Sequence, residues 1–169
     1  YEAVQYLINQ GRKKIALVTT VDYVSVGKLR TDGYIKALQD NNIAFDENLI
    51  IKIEDVDTCE ITISKLLADK VIDAVFAVNE LFAVTILKTA HKMNLIVPKD
   101  LAIIAFTDGI ISKYSTPTIT TVSQSGIKMG KKAAEILIAR LESEEDDNDE
   151  EIYKTEIIET HLIERESTD

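Results

Sequence analysis

Residues 72–108 read IDAVFAVNELFAVTILKTAHKMNLIVPKDLAIIAFTD, and this stretch decides the fold. Residues 72–78 and 101–106 are short, nearly unbroken apolar runs, the pattern of parallel strands covered on both faces. Between them Ala83, Ile86, Leu87 and Ala90 recur at helical spacing. A strand, a helix and a second strand form one right-handed crossover unit. Each strand runs out at polar residues, Asn79-Glu80 after the first and Thr107-Asp108 after the second. In wound sheets of this kind ligands sit beyond the carboxyl ends of the strands.

The same rhythm extends towards the N-terminus. Ala3, Val4, Leu7 and Ile8 repeat at helical spacing, with Gly11 as the stop. Residues 15–20 form a strand that ends before Asp22 and Tyr23. The next helix is expected to carry Val26, Leu29, Gly33, Tyr34, Ala37 and Leu38 on one packed face. Residues 49–53 form the next strand and residues 57–68 the helix after it. The order α-β-α-β-α-β-α-β predicts an α/β fold, a doubly wound parallel sheet. The tail departs from it. TPTITTVSQ, residues 116–124, is β-prone, and Pro117 marks it as an edge or crossing segment. Ser125 can cap a helix bearing Ile127, Gly130, Ala134, Leu137, Ile138 and Leu141 on one face. Residues 156–167, EIIETHLIERES, alternate as a final strand.

Composition narrows the function. The 169 residues fit one domain with a real core, at 46% hydrophobic and 28% charged. The lone Cys59 excludes an internal disulfide and reads as a small buried hydrophobe. No apolar stretch approaches the roughly 20 residues of a membrane span. Net charge is −10, and the run 142–151, ESEEDDNDEE, holds eight acids and no base. The basic surface that tight nucleic-acid binding requires is missing. The acidic run lacks the central glycine and ligand spacing of a calcium loop, and reads as a solvated surface loop.

Several chemistries fall away. The first βα turn, TTVDYVS, has no glycine, against dinucleotide binding. There is no phosphate loop of the GxxxxGK type and no GxSxG elbow. Asp22 alone does not make a phosphoreceiver acid pair. His91 and His161 stand apart and read as surface and structural residues. No cofactor or metal is expected. For an enzyme, Asp22 or Glu54 would have to serve as the base.

The strand-end residues suit a small polar ligand. Arg30, early in its helix, offers a planar fork for adjacent hydroxyls or a carboxylate, unless it merely pairs with Asp32 or Asp108. Asn79 can donate and accept, or can equally cap the helix that starts at Glu80. Asp108 can accept from vicinal hydroxyls, and Tyr23 offers an apolar ring face.

Together with YLINQGRKKIALVTT (6–20), KLRTDGYIKALQDNNI (28–43), TPTITTVSQSGIKMGKKAAEILI (116–138) and HLIERES (161–167), these motifs cover nearly the whole chain. The chain resembles the effector-binding core of the lactose-repressor/galactose-repressor (LacI/GalR) family of transcription regulators. The ending Leu-Ile-x-Arg-x-Ser favours regulators over periplasmic sugar-binding proteins, the alternative on the same fold.

The resemblance implies a periplasmic-binding-protein-like fold of two lobes with the effector, a sugar first of all, in the cleft between them. It also implies homodimers in the cytoplasm, and operator DNA bound only through an N-terminal domain outside this chain. Residues 1–118 would be the C-terminal lobe, and 119–145 a crossing strand and helix belonging to the other lobe. Residues 146–169 would be the acidic loop and a returning strand. Effector contacts would fall at Arg30, Asn79 and Gln124, in the loop from Tyr23 to Ser25 and near Val56. The family commonly has aspartate where Thr107 stands, so Thr107 or Asp108 would take its work. Asn-Asp is usual where this chain has Asn79-Glu80, and EDVDT (54–58) lacks the family's aromatic.

The chain starts at Tyr1 within a helical pattern and is expected to be part of a longer protein. The apolar face 127–141 is expected to fold back, to pack on a second copy or to be mobile. By itself the chain should bind sugar weakly or undetectably, since it supplies half of a cleft. A micromolar affinity in a calorimetric titration would contradict this.

Overall fold

The structure, a computed structural model, describes residues 1–21, 25–69, 71–142 and 155–169. Helix α1 (Glu2–Asn9) leads into β1 (Ile15–Thr20), α2 (Ser25–Asp40) and β2 (Ile50–Ile53). Then come α3 (Cys59–Asp69), β3 (Ala74–Ala77), α4 (Glu80–Lys92), β4 (Ala102–Phe106) and the short α5 (Ile110–Tyr114). The chain closes with β5 (Thr120–Ser123), α6 (Gly126–Glu142) and β6 (His161–Ile163). The strands form one sheet in the order β2-β1-β3-β4-β5-β6, parallel except for the β5–β6 pair. This is the doubly wound α/β fold expected from the apolar runs.

The core follows from those runs. Every residue of β3 is buried, and Ile15 to Thr19 and Ala102 to Ala105 are buried with it. Val4 and Leu7 of α1, Tyr34 and Ala37 of α2, Ile63 of α3 and Ile86 of α4 cover the sheet. Polar groups inside the core are partly matched, the buried Thr19 and Ser112 hydroxyls being left without a hydrogen-bond partner. The Tyr34 hydroxyl donates to the Ile15 carbonyl at 2.8 Å, and burial pushes its pKa up to about 12. Cys59 is buried among the core side chains, and burial raises its thiol pKa.

Three expectations change. Val26 and Leu29 do not join the packed face and are exposed, Leu29 by 70%. The sheet beneath them has ended at Thr20, so only the later turns of α2 meet strands. Residues 119–123 are neither an edge nor outside this sheet. β5 pairs with β4 on one side and β6 on the other, with Thr120 and Thr121 fully buried. Pro117 lies ahead of the strand and takes no place in its ladder. The third change is at Ser125, expected as a cap. Its φ is 53°, and its hydroxyl donates to the Glu159 carbonyl.

The C-terminal residues fasten the far end of the sheet. The Ser167 hydroxyl donates to the Ile103 carbonyl at 2.6 Å and accepts from the Thr120 amide at 2.9 Å. The Thr120 and Thr168 hydroxyls meet at 2.6 Å. By contrast α6 does not fold back. None of its residues is buried, and Ile127 is 92% exposed. Ile104→Ala, in the middle of β4, should therefore cost about 2–5 kcal/mol. Ile127→Ala should stay within about 0.5 kcal/mol. Urea unfolding of both variants measures the contrast.

Candidate functional site

The rim at the carboxyl ends of β1, β3 and β4 is built from groups that terminate strands. β3 ends next to Val78, whose carbonyl no further ladder partner takes; Arg30 of α2 donates to it through Nη1 at 3.0 Å. The Arg30 guanidinium lies over the Phe106 ring, 4.0 Å from its centroid, a contact favourable by about 0.5–2 kcal/mol. Burial lowers its pKa from the ordinary arginine value, while the group stays charged. Arg30 thus pairs with neither Asp32 nor Asp108 in the structure.

Asn79 is the N-cap of α4, its side-chain oxygen accepting from the Phe82 amide at 2.8 Å. Glu80 is turned to the start of α5. Its carboxylate accepts from the Ser112 amide at 2.6 Å in the first turn of α5. A Cβ at Gly109 would run into that carboxylate, so a larger residue there would have to displace the Glu80 side chain. At the end of β4, Thr107 has φ 84°, unusual for a β-branched residue. Its amide donates to the Val122 carbonyl at 2.9 Å, and its hydroxyl accepts from the Gln124 amide at 2.9 Å.

Asp108 does something other than expected. Arg165 donates to its Oδ1 at 2.6 Å and Thr121 to the same oxygen at 3.0 Å, while Lys113 sits 3.1 Å from Oδ2. Arg165 also donates to the Ile119 carbonyl at 2.8 Å, so the ion pair ties the β4 exit to the C-terminal residues. Burial would raise the Asp108 carboxyl, but the hydrogen bonds from Arg165, Lys113 and Thr121 outweigh it and hold the pKa below the ordinary range. The carboxylate read from the sequence as a ligand acceptor is held by three protein donors. Tyr23 lies outside the described residues, as does Asp22; Glu54 is exposed.

A cleft of about 400 Å³ opens at this rim, lined by Leu29, Arg30, Phe76, Phe106, Gln124 and Met129 among others. The structure therefore brings Arg30 and Gln124 into one cavity and places Thr107 against Gln124. Asn79 supports the rim, and Asp108 is turned to Arg165. Phe106 and Arg165 were not singled out from the sequence. Phe106, last of an apolar run, reads as core, and Arg165 lies 57 residues from the carboxylate it holds. A larger hollow, about 620 Å³, lies along the exposed face of α3 by Glu60 and Ile61. Glu60 is held there by Lys88 and Lys92, which keep its pKa near 2. Among the described residues there is no cluster of metal-ligating side chains.

In open wound sheets a cleft at the strand ends is where small ligands commonly sit. A family profile described as "Periplasmic binding protein-like domain" matches residues 4–168, and the chain belongs to that family. Its relatives are LacI-family transcription regulators. It is 37% identical over 169 residues to the HTH-type transcriptional regulator MalR of Clostridium butyricum, covering 99% of this chain and 49% of that protein. It is 36% identical over 172 residues to the NTD biosynthesis operon regulator NtdR of Bacillus subtilis, covering 99% and 50%. Among solved structures, the transcriptional regulator CelR–cellobiose complex matches with a TM-score of 0.84 at 28% identity, over 97% of this chain and 49% of that one. The transcription regulator CcpA of Lactococcus lactis matches with 0.85 at 26%, over 100% and 60%. The chain spans about half the length of the curated relatives it matches. Those relatives are named as regulators, not as enzymes.

The Asp108 ion pair has a pH signature. Its folded pKa is depressed, so its contribution is complete above the unfolded value of about 3.9 and fades as pH falls through the lower folded value. Asp108→Asn should lose about 1–3 kcal/mol at neutral pH. The gap between variant and parent should shrink as pH drops below about 4 in urea unfolding series.

Proposed function

We propose that this chain is the effector-sensing region of a LacI-type transcription regulator. A small polar effector, a sugar in the first instance, occupies the strand-end cleft and is gripped between this lobe and a second one. The observation that carries this reading is the convergence of Arg30, Phe106 and Gln124 on one cavity at the rim, in a chain whose relatives are regulators. The sugar assignment draws on the cellobiose named in the CelR complex and on the relative named ribose operon repressor from Haemophilus influenzae.

Arg30, Thr107 and Gln124 contact the effector in this reading; Tyr23 adds a ring face, and Asn79 and Asp108 hold the rim in shape. Helix α6, with no buried residue, belongs with the second lobe, which its apolar side chains Ile127, Leu137 and Leu141 would cover. β5 and β6 are then the connections between lobes, and residues 1–118 with the tail form the lobe described above. Effector binding shifts the lobes between two arrangements and so alters the grip of a separate DNA-binding region on its operator. The protein works as a homodimer in the cytoplasm. Among the described residues no helix is long and apolar enough to cross a membrane. The names of the relatives favour this reading over a periplasmic binding protein of transport.

The test uses the full-length protein and its operator. At least one member of a panel of mono- and disaccharides with their phosphorylated and acidic derivatives should change DNA affinity about 5–150-fold. Arg30→Ala should abolish that response while DNA binding without ligand persists. If no member changes either DNA affinity or the thermal midpoint, the reading fails.

A further inference from the structure

Among the described residues, the lining of the cleft includes hydrogen-bond donors and no ionised acceptor. Among the described residues lining the cleft, Arg30 is the one charged side chain. Its Nη1 is used on the Val78 carbonyl, and its flat face is used on Phe106. Nε and Nη2 are left along one edge of the fork, the geometry that meets a carboxylate or phosphate with two parallel bonds. The neighbouring acceptors each already hold a protein donor. The Asn79 side-chain oxygen takes the Phe82 amide, which leaves its amide nitrogen as a donor. Glu80 takes the Ser112 amide, and Asp108 takes Arg165, Thr121 and Lys113. The Thr107 hydroxyl takes Gln124, whose amide oxygen is the remaining neutral acceptor of that pair.

A neutral polyol needs an acceptor for each hydroxyl proton it buries, and no carboxylate is among the described residues lining the cleft. An anionic group places only acceptors. Resting on the sensor reading above, we propose that the effector carries an anionic group, carboxylate or phosphate, which Arg30 binds through its free edge. The chain's overall charge of −10 does not oppose this. Much of it lies in the run 142–151, and salt screens exposed charges beyond about 8 Å under physiological conditions. Phe106 contributes by covering the guanidinium face and removing water from it, which strengthens the charge interaction at the exposed edge.

The experiment titrates the full-length protein calorimetrically with matched sets: glucose, glucose 6-phosphate and glucuronate, then maltose and maltose 6-phosphate. The anionic member of at least one set should bind at least about tenfold tighter, as expected for a charge-assisted pair. Comparing phosphate with carboxylate members separates the two sources of charge. Arg30→Gln should reduce the preference to within about twofold, and Arg30→Lys should retain part of it; melting without ligand checks that both are folded. Thr107→Asp supplies an ionised acceptor at a position whose positive φ aspartate tolerates better than threonine. That variant should reverse the preference towards the neutral sugar. A neutral sugar that binds the parent protein as tightly as its anionic partner, with operator release intact, overturns the charge assignment and leaves the sensor reading standing. Absence of binding and of operator response across both kinds of ligand overturns both.

Discussion

Buried parallel strands must hand over their backbone polar groups where they stop, and that constraint shapes everything at this rim. A carbonyl or amide left without a partner away from water costs about 1–3 kcal/mol, and the ends of β3 and β4 have recruited partners. Arg30 answers Val78, Asn79 answers the first turn of α4, and Thr107 is held by its amide to β5. The polar side chains that could serve a ligand are therefore the same ones that finish the sheet. A binding site of this kind is pre-organised because its members are already holding structure.

The Asp108–Arg165 pair extends that logic to the far end of the chain. Both side chains are largely buried, at 13% and 15% exposure, so their charges are tolerable only together. With Ser167 bonded to β4 and to Thr120, the C-terminal residues lock β4, β5 and the tail into one unit. The loop carrying Thr107 is bounded on both sides by this unit. If β5 and β6 are the links between lobes, a change in their geometry reaches Thr107 through two hydrogen bonds, without any long chain of contacts.

Much of the fold was legible in advance because parallel strands buried on both faces leave continuous apolar runs. β1, β3 and β4 were recognisable for that reason, and α1 and α4 from their helical spacing. The site was partly legible: Arg30 and Gln124 share a cavity, and Asn79 proved to be the helix cap weighed alongside its ligand role. Asp108 was read as a ligand acceptor because a carboxylate after a strand looks available, and its pairing with Arg165 appears only in the folded chain. Arg165 and Phe106 escaped notice, the first because its partner is distant in sequence, the second because it resembles any core aromatic. β5 was expected as an edge or crossing segment because Pro117 stands just before it; it is not an edge, lying between β4 and β6 in the sheet.

The amino-acid order by itself determined the alternation of strands and helices, the burial of the sheet and the placing of polar residues at its carboxyl rim. Those properties depend on short-range periodicity, which survives in one dimension. Only the tertiary structure decided which polar groups remain unspent. Whether Asp108, Glu80 or Arg30 can reach a ligand depends on who else touches them, and hydrogen-bond capacity is used up by neighbours that sequence distance does not reveal.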